Sequence, residues 1–589
     1  MKALQHLNKY FIKYKYSLLL GILITIFAKI FSLFIPRLIS QSVNVVDEFR
    51  KGTITDIAFV KSELFINILY IIGAAIISGI FTFLMRQTII NVSRYVEYDL
   101  KNEVYQQYQR LSLSFYKSNR TGDLMNRISE DVSRVREYMG PAIMYSLNMV
   151  TLFVVALIYM FSVAPKLTIY VVTPLPILSI VIYKLSKIIN QRSTIVQQYL
   201  SKLSAFTQES FSGISVIKSY GIEDQNYDAF YAISNDGKQK QIDLTKVQAL
   251  FFPSMILLIG ISNLLVIYIG GMQYINGEIK DIGTIAEFLI YVNMLTWPVA
   301  AVGWVTSLVQ QAEASQKRIN EFLREEPKIK NKVEGSSKIE GNIEFKNVYF
   351  TYPDTNIQAL KNVSFSIKKG GTLAVLGKTG SGKSTILDLI GRLYDIESGS
   401  ITIDHTPVDL LNLDDLRNSI GYVPQDAFLF SDSIKNNIMF GKEDATEDEV
   451  IEAAKNADVH KNIKGFTNGY DTKLGERGIT LSGGQKQRIS IARAIIKSPE
   501  ILLFDDCLSA VDTETEEKIL KNLNKVSKGK TTIIVSHRIS SAKNADQIIV
   551  LDEGKIVQSG THESLLNVDG YYRELYNNQL NESPEDKLL

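Results

Sequence analysis

The nine residues GKTGSGKST, Gly377 to Thr385, decide the fold of the second half of this chain. They match the pattern G-x-x-x-x-G-K-[ST], follow the apolar run Leu373–Leu376, and precede a stretch, 386–394, with helical character. Strand, glycine loop and helix in this order predict a phosphate-binding loop. The glycines let backbone N–H groups face an anion, and the start of the helix adds the positive end of its dipole.

Within this loop, Lys383 is expected to neutralise the β- and γ-phosphates of a nucleotide, and Ser384 is expected to hold Mg²⁺. The stretch ILLFDD, 501–506, reads as an apolar strand that ends in two carboxylates, and Asp505 is expected to hold the same Mg²⁺ through water. The sequence therefore predicts a magnesium nucleotide site built from two separated segments.

Three single residues fit the same site, although each pattern alone is weak. Gln425, in GYVPQDAFLF, is expected to contact Mg²⁺ or a water, and His537, in IIVSHRIS, a γ-phosphate. Tyr352, in FTYPD, is expected to stack on a base. A lone histidine or glutamine is more often structural, so the prediction depends on the ordered set rather than on any member.

A second anion cradle is predicted in LSGGQKQR, 481–488, where a serine and two glycines stand just before a helical stretch. It uses the same physics as the first loop, namely open backbone N–H groups, a hydroxyl and a helix N-terminus. The residues expected to contact an anion are Ser482, Gly483, Gly484 and Gln485.

The first half of the chain contains long apolar stretches typical of membrane-spanning helices. Six apolar stretches are long enough to cross a hydrocarbon core of about 30 Å. They are 17–35, 64–85, 141–163, 167–189, 250–275 and 284–309. The polar stretches 86–136 and 184–246 are helix-like, and we expect them to continue spans two and four far outside the membrane.

Lysine and arginine distribution orients these spans. Segment 86–136 carries nine such residues, segment 184–246 carries eight, and the leader 1–16 carries four lysines and no acid. Segment 38–62, on the opposite side, carries three. We expect the chain to lie in a bacterial cytoplasmic membrane. The positive-inside rule then predicts that both termini are in the cytoplasm.

Several polar or aromatic residues within the spans are candidates to face a substrate. A charge at the centre of a span costs about 2.5–3.5 kcal/mol and usually faces a bundle interior or a wet cavity. Snorkelling and simple packing are the alternatives. The candidates are Lys29, Glu287, Asn293, Trp297 and Trp304.

The chain divides into a membrane part, 1–323, a charged linker, 324–340, an α/β part, 341–578, and a tail, 579–589, that reads as frayed. The predicted fold is an all-α bundle of six transmembrane helices fused to an α/β P-loop domain. A net charge of +2 provides no strong field to recruit nucleic acid. The single cysteine, Cys507, excludes an intrachain disulfide and is expected to fill space beside a strand.

Taken together, these motifs resemble the ATP-binding cassette (ABC) exporters of the half-transporter kind, and the resemblance covers nearly the whole chain. Stretches 115–132 and 206–223 resemble the family's cytoplasmic coupling regions, and GERG, 475–478, resembles the loop that touches them. The resemblance implies ATP and Mg²⁺ as ligands and a head-to-tail dimer with two ATP molecules between the cassettes. The residues it places around ATP are Tyr352, Gly377, Lys378, Thr379, Gly380, Ser381, Gly382, Lys383, Ser384 and Thr385; around Mg²⁺, Ser384, Gln425 and Asp505; and in the loop after the catalytic strand, Asp512.

The chain departs from the family where a catalytic glutamate usually follows Asp505. Asp506 stands there, and its carboxylate is withdrawn by about 1.5 Å, the length of one C–C bond. A misplacement of about 1 Å can cost about 100-fold in rate, or about 2.7 kcal/mol of barrier. The family roles of Asp506, His537 and Gln425 are catalytic.

Two interpretations follow from Asp506. In the first, which we favour, this chain owns a weakly hydrolytic site, pairs with a different chain, and resembles the degenerate subunit of the heterodimeric multidrug exporters of bacteria. In the second, the chain forms a homodimeric exporter or lipid flippase with an active Asp506. An ATP-gated channel is a further alternative. The default substrates are large amphipathic drugs or lipids.

Overall fold

The computed structural model describes residues 2–475, 478, 481–509 and 511–582. Contacts divide the chain into two units. The first comprises residues up to 109 and 122–325, and the second comprises 110–121 and the described residues from 326 onward.

The first 325 residues are helical almost throughout, because long apolar runs alternate with charged stretches that contain few glycines or prolines. The described helices are α1 (Asn8–Lys13), α2 (Lys15–Arg50), α3 (Ile57–Arg110), α4 (Leu113–Ser118), α5 (Thr121–Asn126), α6 (Val132–Glu137), α7 (Ile143–Val163), α8 (Pro165–Val172), α9 (Pro174–Ser212), α10 (Ile214–Tyr220), α11 (Glu223–Gln248), α12 (Phe251–Ile275) and α13 (Gly283–Leu323). Helix α4 belongs to the second unit. Single π-helical turns join α5 to α6 and α6 to α7.

Five helical segments among the described residues are long and apolar enough to cross a bilayer. They are Lys15–Arg50, Ile57–Arg110, Thr121–Val163, Glu223–Ile275 and Gly283–Leu323. The remaining predicted span, 167–189, is divided between α8 and α9 at Thr173. Pro174 and Pro176 explain the division, because neither has an N–H to donate to the preceding turn. As expected, α3 and α9 run well beyond their apolar stretches.

The second unit holds two sheets and ten helices among its described residues beyond 326. Its strands are β1 (Ile343–Thr351), β2 (Gln358–Ile367), β3 (Thr372–Gly377), β4 (Ser398–Ile403), β5 (Thr406–Pro407), β6 (Ile420–Val423), β7 (Ile501–Asp505), β8 (Thr531–Val535), β9 (Gln547–Asp552) and β10 (Lys555–Gly560). Its further helices are α14 (Lys383–Ile390), α15 (Leu413–Asn418), α16 (Ile434–Met439), α17 (Glu447–Asn456), α18 (His460–Lys464), α19 (Gly483–Ile496), α20 (Thr513–Val526), α21 (Ile539–Ala542), α22 (His562–Leu566) and α23 (Tyr571–Glu582).

The six-stranded sheet positions the site. Its order is β10-β9-β3-β8-β7-β6, and all neighbours except β10 and β9 run parallel. Strand β3 is buried from Leu373 to Gly377 and β7 over its whole length, which explains their continuous apolar runs. Because parallel strands end at one edge, the residues after β3, β7 and β8 meet there, where open α/β sheets bind ligands.

The predicted frayed tail is wrong in its first part, because α23 continues to Glu582. The Gln579 side chain ties this helix down. It accepts a hydrogen bond from the Ile539 N–H at 2.9 Å and donates one to the His537 carbonyl at 2.9 Å. Residues 583–589 lie outside the described part.

Candidate functional site

The glycine loop lies between β3 and α14, at the carboxyl edge of the six-stranded sheet. Gly377 and Gly382 have φ values of +147° and +98°, which side chains with a Cβ rarely adopt. A Cβ would also lie 2.2 Å from the Leu551 carbonyl oxygen at Gly377, and 2.4 Å from the Ala359 carbonyl oxygen at Gly382. Both glycines are therefore required by the fold as well as by the anion.

A cavity of about 510 Å³ opens in front of this loop. Most of the predicted nucleotide residues line it, namely Tyr352, Thr379, Gly380, Gly382, Lys383, Ser384, Thr385, Gln425, Asp505, Asp506 and His537. Gly377, Lys378 and Ser381 are not among its lining residues. Its size suits a drug-sized or nucleotide-sized ligand.

The basic and acidic groups of the loop are held within reach of one another. The Lys383 ammonium, almost fully buried, donates to the carbonyl oxygens of Gly377 at 2.9 Å and Lys378 at 2.8 Å. The Ser384 hydroxyl donates to the Asp505 carboxylate at 2.8 Å. Burial lowers the pKa of Lys383, an effect that the carboxylates of Asp505 and Asp506 oppose.

These residues fit a nucleotide with Mg²⁺. The Ser384 hydroxyl and the Asp505 carboxylate supply the oxygen ligands that Mg²⁺ prefers, and Gln425 adds an amide oxygen at the same cavity. The buried Ser381 hydroxyl has no hydrogen-bond partner among the described residues. The ion, when bound, neutralises phosphate charge.

Asp506 has an unusual backbone for a residue with a Cβ. Its φ is +41°, and its N–H donates to the Val535 carbonyl oxygen at 2.9 Å. Strained conformations of this kind concentrate at functional sites. Burial raises the pKa of Asp506, and the neighbouring His537 and Lys383 oppose the shift. Burial, reinforced by Lys383, lowers the pKa of His537, so its imidazole is neutral at neutral pH.

Tyr352 lies at the other end of the cavity. Its hydroxyl is 2.9 Å from the Thr385 hydroxyl of α14. The ammonium of Lys117, from α4, lies 4.8 Å from the Tyr352 ring centroid and 5.2 Å from that of Tyr394. Burial raises the pKa of the nearby Asp388 to about 6, although Lys117 opposes that shift. Sequence reasoning missed Lys117 and Asp388 as neighbours of Tyr352, because Lys117 lies in a stretch, 115–132, interpreted as a coupling region, and Asp388 belongs to no motif.

The hairpin between β9 and β10 also reaches the cavity. Glu553 and Gly554 line it, and the Gly554 carbonyl accepts a hydrogen bond from the Lys361 N–H at 2.8 Å. Sequence reasoning missed this hairpin as a site element. The D-E-G turn at 552–554 was the available signal, since an acidic residue followed by glycine is typical of a tight hairpin.

The second cradle lies elsewhere in the unit. Ser482 caps α19: its hydroxyl accepts from the Gln485 N–H at 3.3 Å, and the Gln485 side chain accepts from the Ser482 N–H at 3.0 Å. Ser482 and Gly483 are exposed. Of the described residues that line the cavity, none comes from Ser482–Gln485. The structure therefore does not bring this loop and the glycine loop together within one chain.

The remaining predicted residues of this unit have simple surroundings. Asp512 caps α20 by accepting from the Thr515 N–H at 2.9 Å, and that bond lowers the pKa of Asp512. Cys507 is buried, as expected, and burial raises the pKa of its thiol. In GERG, 475–478, the residues Glu476 and Arg477 lie outside the described part.

Two of the substrate candidates in the spans are ionisable. Glu287 is buried and accepts a hydrogen bond from the Tyr291 hydroxyl at 2.9 Å. Lys29 is partly buried. The Glu287 carboxylate is thus engaged by its own helix.

The two tryptophans of α13 are more exposed. Trp297 is 65% exposed and Trp304 46%. The Trp304 ring packs edge-on against Tyr145 of α7, with 5.1 Å between centroids. Asn293, on the same helix, donates to the Leu289 carbonyl at 2.8 Å.

Comparison with known families decides what the two units are. Residues 18–299 match the ABC transporter transmembrane region, and residues 360–509 match the ABC transporter family of ATP-binding domains. The multidrug resistance-like ATP-binding protein MdlA of Escherichia coli is 36% identical over 540 residues, 91% of each chain. The chain belongs to the ABC exporters in which both parts are fused. It is an ATPase coupled to transport, it uses ATP with Mg²⁺, and it is embedded in a membrane.

Two further similarities extend over nearly the whole ABC exporter chain. The probable multidrug resistance ABC transporter ATP-binding/permease protein YheI of Bacillus subtilis is 36% identical over 579 residues, which cover 98% of this chain and 97% of YheI. A bacterial Atm1-family ABC exporter, solved with ATP bound, superposes with a TM-score of 0.78 at 26% identity, covering 96% of this chain and 99% of that one. ABC exporters act as dimers, so a second chain is required.

Proposed function

We propose that this chain is one half of an ATP-driven exporter of amphipathic small molecules, drugs or lipids, in a bacterial cytoplasmic membrane. Both termini and the nucleotide-binding unit lie in the cytoplasm. Names such as MdlA and YheI, which describe multidrug resistance, support the substrate class by analogy. The lysine and arginine distribution supports the orientation.

We further propose that the chain pairs with a different half-transporter and that its own ATP site hydrolyses weakly. The observation that carries this proposal is Asp506, a short carboxylate at the cavity beside Gln425 and His537. Binding residues such as Lys383, Ser384 and Asp505 are all in place, so ATP binds firmly. The intact loop Ser482–Gln485, exposed at Ser482 and Gly483, serves the partner's site.

A homodimer with an active Asp506 is the second candidate. The positions of His537 and Gln425 favour it, because both line the same cavity as Asp506 and neither has been replaced. A chain whose site had lost its function would be free to lose these side chains as well.

The experiment compares the chain purified alone with the chain co-purified with its candidate partner. Mass in detergent gives the oligomeric state, and phosphate release gives ATP turnover. We expect slow turnover from the chain alone, and in the assembly we expect Asp506→Glu to raise turnover by about 10- to 100-fold. Asp506→Asn is the matched control, because it removes the charge while keeping the length.

Brisk, cooperative hydrolysis by the chain alone contradicts the heterodimer and supports the homodimer. An Asp506→Glu variant no faster than its parent in the assembly contradicts the weak site. Export itself is measured as ATP-dependent movement of an amphipathic dye in vesicles, and its absence alongside ATP turnover contradicts the transport proposal.

A further inference from the structure

A cavity of about 320 Å³ lies between α9 and α13 of the membrane unit. Each helix contributes two rows of side chains at one-turn spacing. The first row of α9 is Ile182, Ser186 and Asn190, and the second is Tyr183, Lys187 and Gln191. The rows of α13 are Val299, Gly303 and Ser307, and Val302, Thr306 and Gln310. The volume lies in the range of small-molecule sites.

Gly303 brings the two helices together at the middle of the cavity. A Cβ at Gly303 would lie 2.7 Å from the Ser186 hydroxyl oxygen and 3.4 Å from the Ser186 Cβ, so a larger residue would require the serine hydroxyl to rotate away. The predicted spans four and six run in the same direction. The residues one turn before and one turn after Gly303 on α13 therefore lie beside the corresponding residues before and after Ser186 on α9. The cavity is thus built by the fold.

The lining changes from apolar to polar along the helices. Ile182, Val299 and Val302 line the end that lies within the apolar stretches, whereas Asn190 and Gln310 line the other end. Eight residues separate Ile182 from Asn190 on α9, or about 12 Å at 1.5 Å per residue. A ligand that fills this cavity has an apolar body and a polar head.

The charge of the cavity lining is positive. Lys187, at the middle of the second row of α9, is the one charged side chain among the described lining residues, which include no Asp or Glu. The residue is exposed, and its ammonium forms no ion pair or hydrogen bond within the described part of the chain. The amides of Asn190, Gln191 and Gln310 supply neutral N–H donors around it. This combination attracts an anion and repels a cation.

The geometry points to a binding site for an anionic amphiphile, with its carboxylate, phosphate or sulfate head at Lys187 and its carbon body toward Ile182 and Val299. This inference rests on the proposed export function and narrows its substrate class from amphipathic molecules in general to anionic ones. Both a bilayer lipid and a free small amphiphile have this chemistry.

The test measures binding to the full-length transporter in nanodiscs of phosphatidylcholine. The probes are 11-(dansylamino)undecanoic acid and its uncharged primary amide, which differ only in the head. We expect the acid to bind about tenfold more tightly, since its carboxylate can accept a charge-assisted hydrogen bond from the ammonium and the neutral amide cannot. If the unmodified protein binds both probes equally, or binds the amide more tightly, the proposal is overturned before any variant is needed.

Variants locate the site. Lys187→Gln is expected to bring the ratio of acid to amide affinity close to one, and Lys187→Arg to keep it. Lys184→Gln is the matched control, because Lys184 is exposed on the same helix one turn earlier and does not line the cavity. A loss of preference in Lys184→Gln as large as that in Lys187→Gln overturns the assignment.

Two further arms separate the remaining questions. Adding phosphatidylglycerol to the nanodiscs displaces the acid probe when lipid head groups occupy the site, and leaves it bound when free amphiphiles do. ATP turnover and dye export are measured in the same preparation. A transporter that exports dye without a charge preference contradicts this inference alone, whereas one that binds the acid but exports nothing contradicts the proposed function.

Discussion

The glycine loop at Gly377–Thr385 and the second cradle at Ser482–Gln485 look alike in sequence but differ in their surroundings. Both place glycines and a hydroxyl before a helix. The glycine loop is tied into its own unit, where Ser384 bonds to Asp505 and Lys383 is buried, while its tip, Lys378–Gly380, is exposed. The second cradle has Ser482 and Gly483 exposed, and within the described part of the chain the side chains of Ser482 and Gln485 bond to each other's backbone N–H. Equal local motifs thus gain a cavity and a carboxylate partner in one place and neither in the other.

The largest effect is expected from Lys383→Ala, which tests whether the glycine loop binds ATP. Losing the buried ammonium removes the group that neutralises two phosphates, so ATP affinity falls at least 100-fold, as measured by equilibrium binding of a fluorescent ATP analogue. The control is Lys368→Ala, an exposed lysine on the turn before β3, with affinity within twofold of the parent. Retained affinity in Lys383→Ala would contradict the assignment of the cavity.

Ser482→Arg tests the proposed role of the second cradle. Because the second cradle does not line this chain's cavity, ATP binding by the chain should remain within about threefold of the parent. Turnover of the assembled dimer should fall about 100-fold, since the arginine would occupy the place where we propose that the partner's nucleotide docks. Ser482→Ala removes only the helix cap, at about 1 kcal/mol, and separates stability from docking. Equal losses of binding and turnover would show that both cradles serve one nucleotide.

Asp388→Asn tests how the glycine-loop helix is supported, through its pH dependence. Burial holds the pKa of Asp388 at about 6, above its ordinary 3.8, so the folded state binds more protons than the unfolded one between these values. Stability contributed by the protonated form is therefore lost as pH rises from about 4 to 6. The free energy of unfolding of the variant should exceed that of the parent by about 1–3 kcal/mol at pH 8 and should equal it at pH 4.

This difference is measured by denaturant titration of the full chain, followed by circular dichroism at both pH values. Asp354→Asn, in an exposed turn, is the matched control and should show no pH-dependent gain. A gain of the same size at pH 4 and pH 8 would contradict the ionisation argument.

The smallest effect is expected from Lys117→Ala, which removes the cation beside the Tyr352 ring. A cation–π contact at a partly exposed site is worth about 0.5–1 kcal/mol, so the Kd for ATP should rise about two- to fivefold. Lys117→Arg should restore the affinity, and Arg120→Ala, exposed in the same segment, should leave it unchanged. Affinity for inorganic tripolyphosphate, which has no base to stack, should not change in any of the three.

The motifs predicted the fold class, the nucleotide and the metal because each is a short, contiguous pattern with its own local physics. A glycine at Gly382 and an apolar run at Ile501–Asp505 carry their meaning without knowledge of the rest of the chain. The fourth span was harder to predict, since two prolines divide a hydrophobic run whose composition alone looks continuous. The tail was misread because the Gln579 contacts that order it join segments about 40 residues apart.

The sequence by itself determined that this protein has a helical membrane part and an ATP-binding part with two anion cradles, because periodicity, hydropathy and glycine placement act over a few residues. Only the tertiary structure decided that one cradle lines a cavity beside Asp505 and the other does not, that Asp506 is held in a left-handed conformation, and that Lys117 and Asp388 lie near Tyr352. It also placed Lys187 in a cavity between two helices more than a hundred residues apart. Such placements depend on which buried surfaces pack together, and no local pattern records that choice.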